Sequence, residues 1–284
     1  MEKQVSLYRP RMTAAGVRPT HAISVKDEKG EVKEVEIAGE LPLTILVDGH
    51  EIVTLMTLGT YPELLALGYL RNQRLLSEIE AIESVRVDWQ TESVRIRTRD
   101  GKGGQLREKL TGRTITTGCG QGTIFSCTID GLYAAEALRP ITVRQSQLSR
   151  LMKSLATYNE IYKSAGAVHG CALCSTEKVE IFVEDVGRHN AADTIAGKMW
   201  LDRISGLNRV FYSTGRLTSE IVMKAALMAI PVIISRSGIT YMGLTLAQDL
   251  GMIMIARIKG DKFHIYNGQE HFIHDLIPIN GNNP

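Results

Sequence analysis

Arg209-Val210-Phe211-Tyr212-Ser213-Thr214-Gly215-Arg216 is a short apolar run that ends in a polar, glycine-bearing turn, and a helix is predicted after it over Thr218 to Met228. The unit recurs along the C-terminal half. Val179 to Val183 leads through Glu184-Asp185-Val186-Gly187-Arg188-His189-Asn190 into a helix predicted over Asn190 to Asp202. Val232 to Ile234 leads through Ser235-Arg236-Ser237-Gly238 into a helix over Tyr241 to Leu250. Further apolar strands are predicted at Val168 to Leu173, Met252 to Ala256 and Phe263 to Tyr266. Strands alternating with helices indicate an α/β layered domain whose sheet is largely parallel.

The turns of this unit share a chemistry. Each sets an arginine beside a glycine or serine: Arg188 with Gly187, Arg216 with Gly215, and Arg236 with Ser235 and Ser237. Open α/β sheets bind ligands beyond the carboxyl ends of their strands. Helix N-termini there offer free N–H groups to anions, and a guanidinium fork matches phosphate oxygens. The recurrence points to a ligand with several phosphates, a nucleotide or dinucleotide. The alternative is that these arginines are solvated or pair with Glu184, Asp185 and Glu220. His189, beside Arg188 in a polar turn, is a functional candidate. His169, in an apolar strand, reads first as a hydrogen-bonded structural residue.

Outward from the unit, a helix is predicted over Ser146 to Tyr162, with Leu148, Leu151, Met152, Leu155 and Tyr158 on one stripe. Arg139-Pro140 marks a boundary, and the glycine-rich Gly101 to Gly122 stretch reads as a flexible connection. Upstream, Val32 to Ile37 and Leu43 to Val47 are predicted strands, with Asp48-Gly49 turning into Glu51 to Thr57. Thr60 as N-cap and Pro62 in the first turn open a helix to about Arg71. Ser84 to Asp88 and Ser93 to Thr98 form another strand pair. The resulting division is a loose tail (1–30), a smaller α+β domain (31–115), a mobile cysteine loop and linker (116–140) and the α/β domain (141–284). Arg95 to Arg113 holds seven basic residues against Asp100 and Glu108. Arg95, Arg97 and Arg99 fall on one face of a strand. That face is either a solvated sheet edge or a docking face for an anionic ligand or acidic partner.

Composition narrows the function classes. The chain has 284 residues, 44% hydrophobic and 23% charged, with net charge +2. It is globular, and it is not a whole-molecule electrostatic binder of nucleic acid. The N-terminus lacks a signal-like apolar run, and no stretch approaches the roughly 18 uninterrupted apolar residues of a membrane span. A cytoplasmic location with reduced thiols is expected. Four cysteines do not make a disulfide scaffold in a chain of this length.

Those cysteines differ in setting. Cys119 lies in Thr116-Thr117-Gly118-Cys119-Gly120-Gln121-Gly122, where flanking glycines leave a thiol open. That is the setting of a nucleophile or sulfur carrier. Cys171-Ala172-Leu173-Cys174 has CxxC spacing after His169, which invites zinc. On a strand, however, the two thiols point to opposite faces and cannot grip one ion. No tightly bound metal is expected.

The run Glu184 to Asn190 with Asp193, the Ser213–Arg216 turn, Ser235-Arg236-Ser237 and Thr116 to Gly120 together resemble the FdhD family, the accessory sulfurtransferases of formate dehydrogenase. Gly166 to Gly170 with Val168-His169, and Leu41-Pro42-Leu43 with Leu67-Gly68-Tyr69, are similar to further family motifs; the resemblance spans about residues 36 to 268. It implies a larger domain with a mixed sheet like that of cytidine deaminase, and a homodimer. It also implies a sulfur carrier that takes persulfide sulfur from a cysteine desulfurase. The sulfur would pass to the molybdenum of the bis-molybdopterin guanine dinucleotide cofactor before insertion into formate dehydrogenase. Guanosine diphosphate is the expected mimic of that client. The family's cofactor-binding segment matches Arg257-Ile258-Lys259-Gly260-Asp261-Lys262. Arg188, His189, Asn190, Ser213, Gly215, Arg216, Ser235, Arg236 and His169 complete the expected binding set, and Cys119 is the expected catalytic thiol. Asp185 and Asp193 are candidates to read guanine, because carboxylates accept from its N–H groups.

One departure matters. Where the family has a second loop cysteine, this chain has Gly122. A persulfide carrier needs one nucleophile; a disulfide-resolving route would need another thiol, for which Cys127 is the nearest. The alternative is a non-covalent chaperone that holds the dinucleotide cofactor and delivers it to the apoenzyme. Zinc deaminase chemistry is not expected, since His169-Gly170-Cys171 lacks the glutamate and the proline that such sites need.

Overall fold

The computed structural model describes residues 7–101, 103–105 and 138–276. Cys119, Cys127 and most of the glycine-rich connection lie outside the described residues.

The first unit is a five-stranded sheet. Its strands are β1 (Arg11–Met12), β4 (Leu41–Val47), β5 (His50–Thr57), β6 (Ile82–Asp88) and β7 (Ser93–Thr98), in the order β1-β6-β7-β4-β5. Helix α1 (Pro62–Asn72) covers one face. Leu43, Ile45, Val47, Leu55, Val85, Val94 and Ile96 point inward from the sheet to Leu65, Leu67 and Leu70 of the helix. The β4–β5 turn at Asp48-Gly49 has both residues at positive φ, 49° and 82°, the geometry that matches strand twist in a two-residue hairpin. The expected Thr60 cap is not formed. Tyr61 occupies the N-cap position without a side-chain bond, and Thr60 Oγ1 is buried without a partner among the described residues.

The N-terminal stretch is structured where a loose tail was expected. β2 (Thr20–Lys26) and β3 (Val32–Ala38) form an antiparallel hairpin. Before them, Thr13 Oγ1 and Ala15 N donate to Glu63 at 2.6 and 2.9 Å, and Trp89 Nε1 donates to Ala15 O at 2.6 Å. These ties run through backbone and polar groups, so they leave no apolar period in the sequence.

The second unit is a six-stranded sheet of β9 (His169–Cys174), β10 (Val179–Asp185), β11 (Val210–Ser213), β12 (Val232–Ser235), β13 (Ile253–Lys259) and β14 (Lys262–Asn267), in the order β10-β9-β11-β12-β13-β14. The expectation of a largely parallel sheet needs correction. Only β11–β12 and β12–β13 pair in parallel, and the other pairings are antiparallel. The sheet is mixed because β9–β10 and β13–β14 are joined by short turns instead of helical crossovers.

One face carries α4 (Arg188–Leu201), α5 (Ser219–Leu227) and α6 (Tyr241–Asp249), packed on Cys171, Leu173, Phe211, Ile233 and Met254. The other carries α2 (Gln145–Tyr158), whose Leu148, Leu151 and Leu155 meet Ala172, Cys174, Tyr212, Ile234 and Ile255. The predicted 146–162 helix is two helices, because the chain breaks at Asn159 before α3 (Glu160–Ala165). A two-stranded parallel pair, β8 (Val143–Arg144) with β15 (Phe272–Ile273), closes the end.

Helix α4 joins the units. Every residue but Lys198 is buried. Ala191, Ala192, Ile195 and Met199 serve the large-sheet core, while Trp200 and Leu201 serve the small-sheet core. It meets α1 backbone to backbone. A Cβ on Gly197 would lie 1.9 Å from Leu64 O, and one on Gly68 would lie 1.6 Å from Asp193 O. Over this contact Asp193 accepts from Lys224 Nζ at 2.6 Å and from Asn72 Nδ2 at 2.7 Å. Gly197→Ala is therefore expected to destabilise the protein by about 3 kcal/mol through overpacking, read as a lower urea midpoint. An unchanged midpoint would show that the helices separate without cost.

Candidate functional site

β10 and β11 both run antiparallel to β9, and β12 and β13 run parallel to β11. The carboxyl ends of β10, β11, β12 and β13 therefore lie on one edge, beside the start of β9. This edge brings together the turn arginines, His169 and the Arg257–Lys262 segment.

The turns are locked to one another. Gly170 and Thr214 exchange bonds, Gly170 N to Thr214 Oγ1 at 3.0 Å and Thr214 N to Gly170 O at 2.9 Å. Ser213 Oγ accepts from Gly215 N at 3.1 Å. Ser235 Oγ donates to Gly215 O at 2.7 Å and accepts from Ser237 N at 2.9 Å. Arg257 N donates to Ser237 O at 2.9 Å. Ser213 and Ser235 are fully buried. Their hydroxyls are committed to the neighbouring turns. Gly215 is required sterically, since a Cβ there would meet Arg188 Cδ at 2.6 Å.

The charged groups that project are Arg216, Arg236, Arg257, Lys259 and Lys262, all exposed. Among the described residues none of them forms an ion pair with a carboxylate. Arg257 has φ of 55° at a register shift in β13, a local irregularity that re-aims a side chain.

Two cavities flank Arg236. One, of about 430 Å³, is lined by Asn159, Tyr162, His169, Gly170, Thr214 and Ser237 as well as Arg236. The other, of about 310 Å³, lies against Met152, Lys153, Tyr212, Ile258, Lys259 and Gly260. Asp261 closes its rim, accepting from Ser149 Oγ at 3.1 Å. Asn159, Tyr162 and Lys153 were not anticipated. The signal was the asparagine inside an otherwise helical stripe, because the break there opens the first cavity.

The Glu184–Asn190 run is mostly internal. Glu184 accepts from the α3 N–H groups of Ile161 and Tyr162 at 3.0 and 2.9 Å. Asp185 accepts from Thr57 Oγ1 at 2.6 Å and from Leu58 N and Gly187 N. Asn190 Nδ2 donates to Met56 O at 2.6 Å and to Asp185 at 3.0 Å. Asp185 and Asp193 are thus buried and committed to hydrogen bonds within the protein. Arg188, His189 and Asn190 are buried as well. Arg188 comes near the edge where it passes Gly215 and acts on His169.

Burial pushes His169 below its usual pKa, helped by Arg188 and Arg216. His189 is driven further, to about 2, by burial and then by Lys224, Arg188 and His169. Its Nδ1 lies 3.3 Å from Glu220 Oε1, but desolvation dominates and the ring is neutral. Cys171 and Cys174 point into the two different cores of the large sheet, as strand alternation requires. Burial pushes both thiols up to about 12, so neither is a thiolate. Among the described residues no cluster of His, Cys, Asp or Glu could hold a metal, and no helix is long and apolar enough to cross a membrane.

A model of the FdhD/NarQ family matches residues 38–273. The chain belongs to the FdhD/NarQ family. It is 31% identical to the sulfur carrier protein FdhD of Bacillus pumilus, over 82% of this chain and 89% of that one. Against the FdhD of Staphylococcus haemolyticus the identity is 32%, over 81% of this chain and 87% of the other. The fold matches a crystal structure from Desulfotalea psychrophila, of a protein provisionally assigned as a formate dehydrogenase accessory protein. The TM-score is 0.70 at 24% identity, covering 89% of this chain and 98% of that one. Within this FdhD/NarQ chain, the conspicuous Glu184–Asn190 motif ties the sheets together, and of the exposed cations Arg236 lines both cavities and Lys259 the second.

The neutral His189 sets a pH dependence. Its unfolded pKa is near 6.5 and its folded value about 2. Between those values the unfolded chain binds the extra proton, so stability present above pH 6.5 is lost as pH falls. His189→Gln is expected to flatten the acid side of the stability profile by up to about 1.4 kcal/mol per pH unit. Urea titrations from about pH 7 to 4 measure the slope, and an unaltered slope would refute the neutral buried ring.

Proposed function

We propose that this chain is a sulfur carrier for formate dehydrogenase, acting on the bis-molybdopterin guanine dinucleotide cofactor as its client. The reading rests on the relatives named sulfur carrier protein FdhD and on one observation of geometry. Two adjoining cavities share Arg236, with Arg216, Arg257 and Lys259 exposed on the same strand-end edge. Paired cavities with a shared cation suit a client with two guanosine diphosphate halves. The exposed cations meet its phosphates, and the locked serine turns hold them in place.

In this reading the Cys119 thiolate attacks the outer sulfur of a cysteine desulfurase persulfide. The S–S bond breaks, the desulfurase thiolate leaves with the electron pair, and Cys119 becomes the persulfide. Its terminal sulfur then bonds to the client's molybdenum, which supplies the electron pair, and Cys119 returns as thiolate. Gly122 in place of a second loop cysteine leaves Cys119 to act alone, and the protein works as a homodimer.

After incubation with a desulfurase and cysteine, the Cys119 peptide is expected to gain about 32 Da, one sulfur. Arg236→Ala is expected to weaken guanosine diphosphate binding by about tenfold or more in calorimetry, since it removes a charge-assisted contact common to both cavities. If Cys119→Ser still supports formate dehydrogenase while Arg216→Ala does not, the protein is a non-covalent cofactor chaperone.

A further inference from the structure

The outer face of the five-stranded sheet carries its arginines together, on the β1-β6-β7 part, while β4 and β5 present Pro42, Thr44, Leu46, Thr54 and Met56. Arg86 of β6 and Arg95 and Arg97 of β7 project from it, with Arg11 of β1 and Arg99 just past β7; all five are exposed. The inward residues between them, Val85, Val94 and Ile96, are core. A shallow concavity of about 770 Å³ lies over this face and shares no residue with the two cavities at the strand-end edge.

Protection of a sheet edge does not account for these charges. β7 is the central strand, between β6 and β4, and a central strand has no open edge to guard. The register is also unfavourable on its own. Arg86 stands directly opposite Arg95 across the β6–β7 ladder, and like charges so placed destabilise a sheet.

Local partners neutralise the face incompletely. Arg11 pairs with Glu83, and Arg95 lies 3.4 Å from Asp88. Arg99 donates to Glu80 O at 2.8 Å and sits 5.1 Å from the Tyr8 ring centroid. Arg86 and Arg97 have no ion pair or hydrogen bond among the described residues. The nearby Asp48 is occupied by Thr98 and by Gly103 N.

We propose that this face is a docking site for an extended acidic segment of a partner protein, with carboxylates at alternate residues. Residues two apart on a strand are about 6.8 Å apart, so Arg95 and Arg97 match the alternate side chains of an extended peptide laid along β7. Arg86 supplies a second row one strand away. Guanidinium forks bind carboxylates in bidentate fashion. Nucleic acid fits less well. Among the described residues no aromatic side chain lines the concavity for base stacking, and Asp48 and Asp100 on its rim would repel a continuous phosphate ladder.

The test uses the full chain and a fluorescent peptide of about eight residues alternating Glu and Thr, long enough to span the face when extended. Fluorescence anisotropy at low salt is expected to show binding that weakens about tenfold or more in R86Q/R97Q. R18Q/R150Q, which removes the same charge from exposed positions elsewhere, is expected to bind as the parent does. Equal loss in both double variants would reduce the effect to net charge and overturn the site. Displacement of the peptide by equimolar inorganic phosphate, or tighter binding of a single-stranded oligonucleotide of equal charge, would overturn the acidic-segment assignment. Circular dichroism confirms that the exposed substitutions leave the fold intact.

Discussion

The contact between α1 and α4 is the constraint on which the rest of the structure depends. Gly68 and Gly197 let the two backbones approach more closely than any Cβ would allow. That approach places α4 between the cores, where it serves both sheets. It also buries the polar top of the junction, which must then be satisfied internally. Asp193 is satisfied by Lys224 and Asn72, and Asp185 by Thr57, Leu58 and Gly187. A buried ion pair of this kind adds little net stability, but removing one partner strands the other charge. Together the glycine contact and the Asn72–Asp193 hydrogen bond hold α1 and α4 in one relative position, and the ion pair ties α4 to α5.

That fixed position carries through to the strand-end edge. Arg188 opens α4 and passes directly against Gly215, so the seating of α4 sets the turn after β11. Ser235 ties that turn to the next, and Ser237 ties the next to β13. The backbone of the edge is rigid while its cations are exposed. A rigid base with long reaching side chains can hold an anionic client without ordering the chain first.

Much of this was legible in the sequence. The strand–turn–helix units, the Asp48-Gly49 hairpin and the opposite facing of Cys171 and Cys174 follow from local periodicity and turn chemistry, and the structure has them. Sheet direction was not legible, because periodicity says nothing about which strands pair. The N-terminal segment was missed because polar and backbone groups hold it. The Ser146 to Tyr162 stripe hid the break at Asn159, since a single residue interrupts a helix without disturbing its apolar period. Exposure was the hardest property to read. Arg188 and Arg216 sit in similar turns, yet one starts a buried helix and the other points to solvent.

The same difference explains why cations accumulate at the edge of a chain whose net charge is only +2. The sequence alternative paired the turn arginines with Glu184, Asp185 and Glu220. Those carboxylates are buried. Glu184 serves the N–H groups of α3, where the helix dipole favours a negative charge. Asp185 serves the junction of the two sheets. With these acids taken inward, the exposed Arg216 and Arg236 form no ion pair among the described residues. The net charge is therefore a poor guide to local potential, because burial separates the signs: acids in the scaffold, bases at the rim. A field of that kind acts over about a Debye length, roughly 8 Å at physiological salt. It therefore acts on what enters the cavities more than on what diffuses past them.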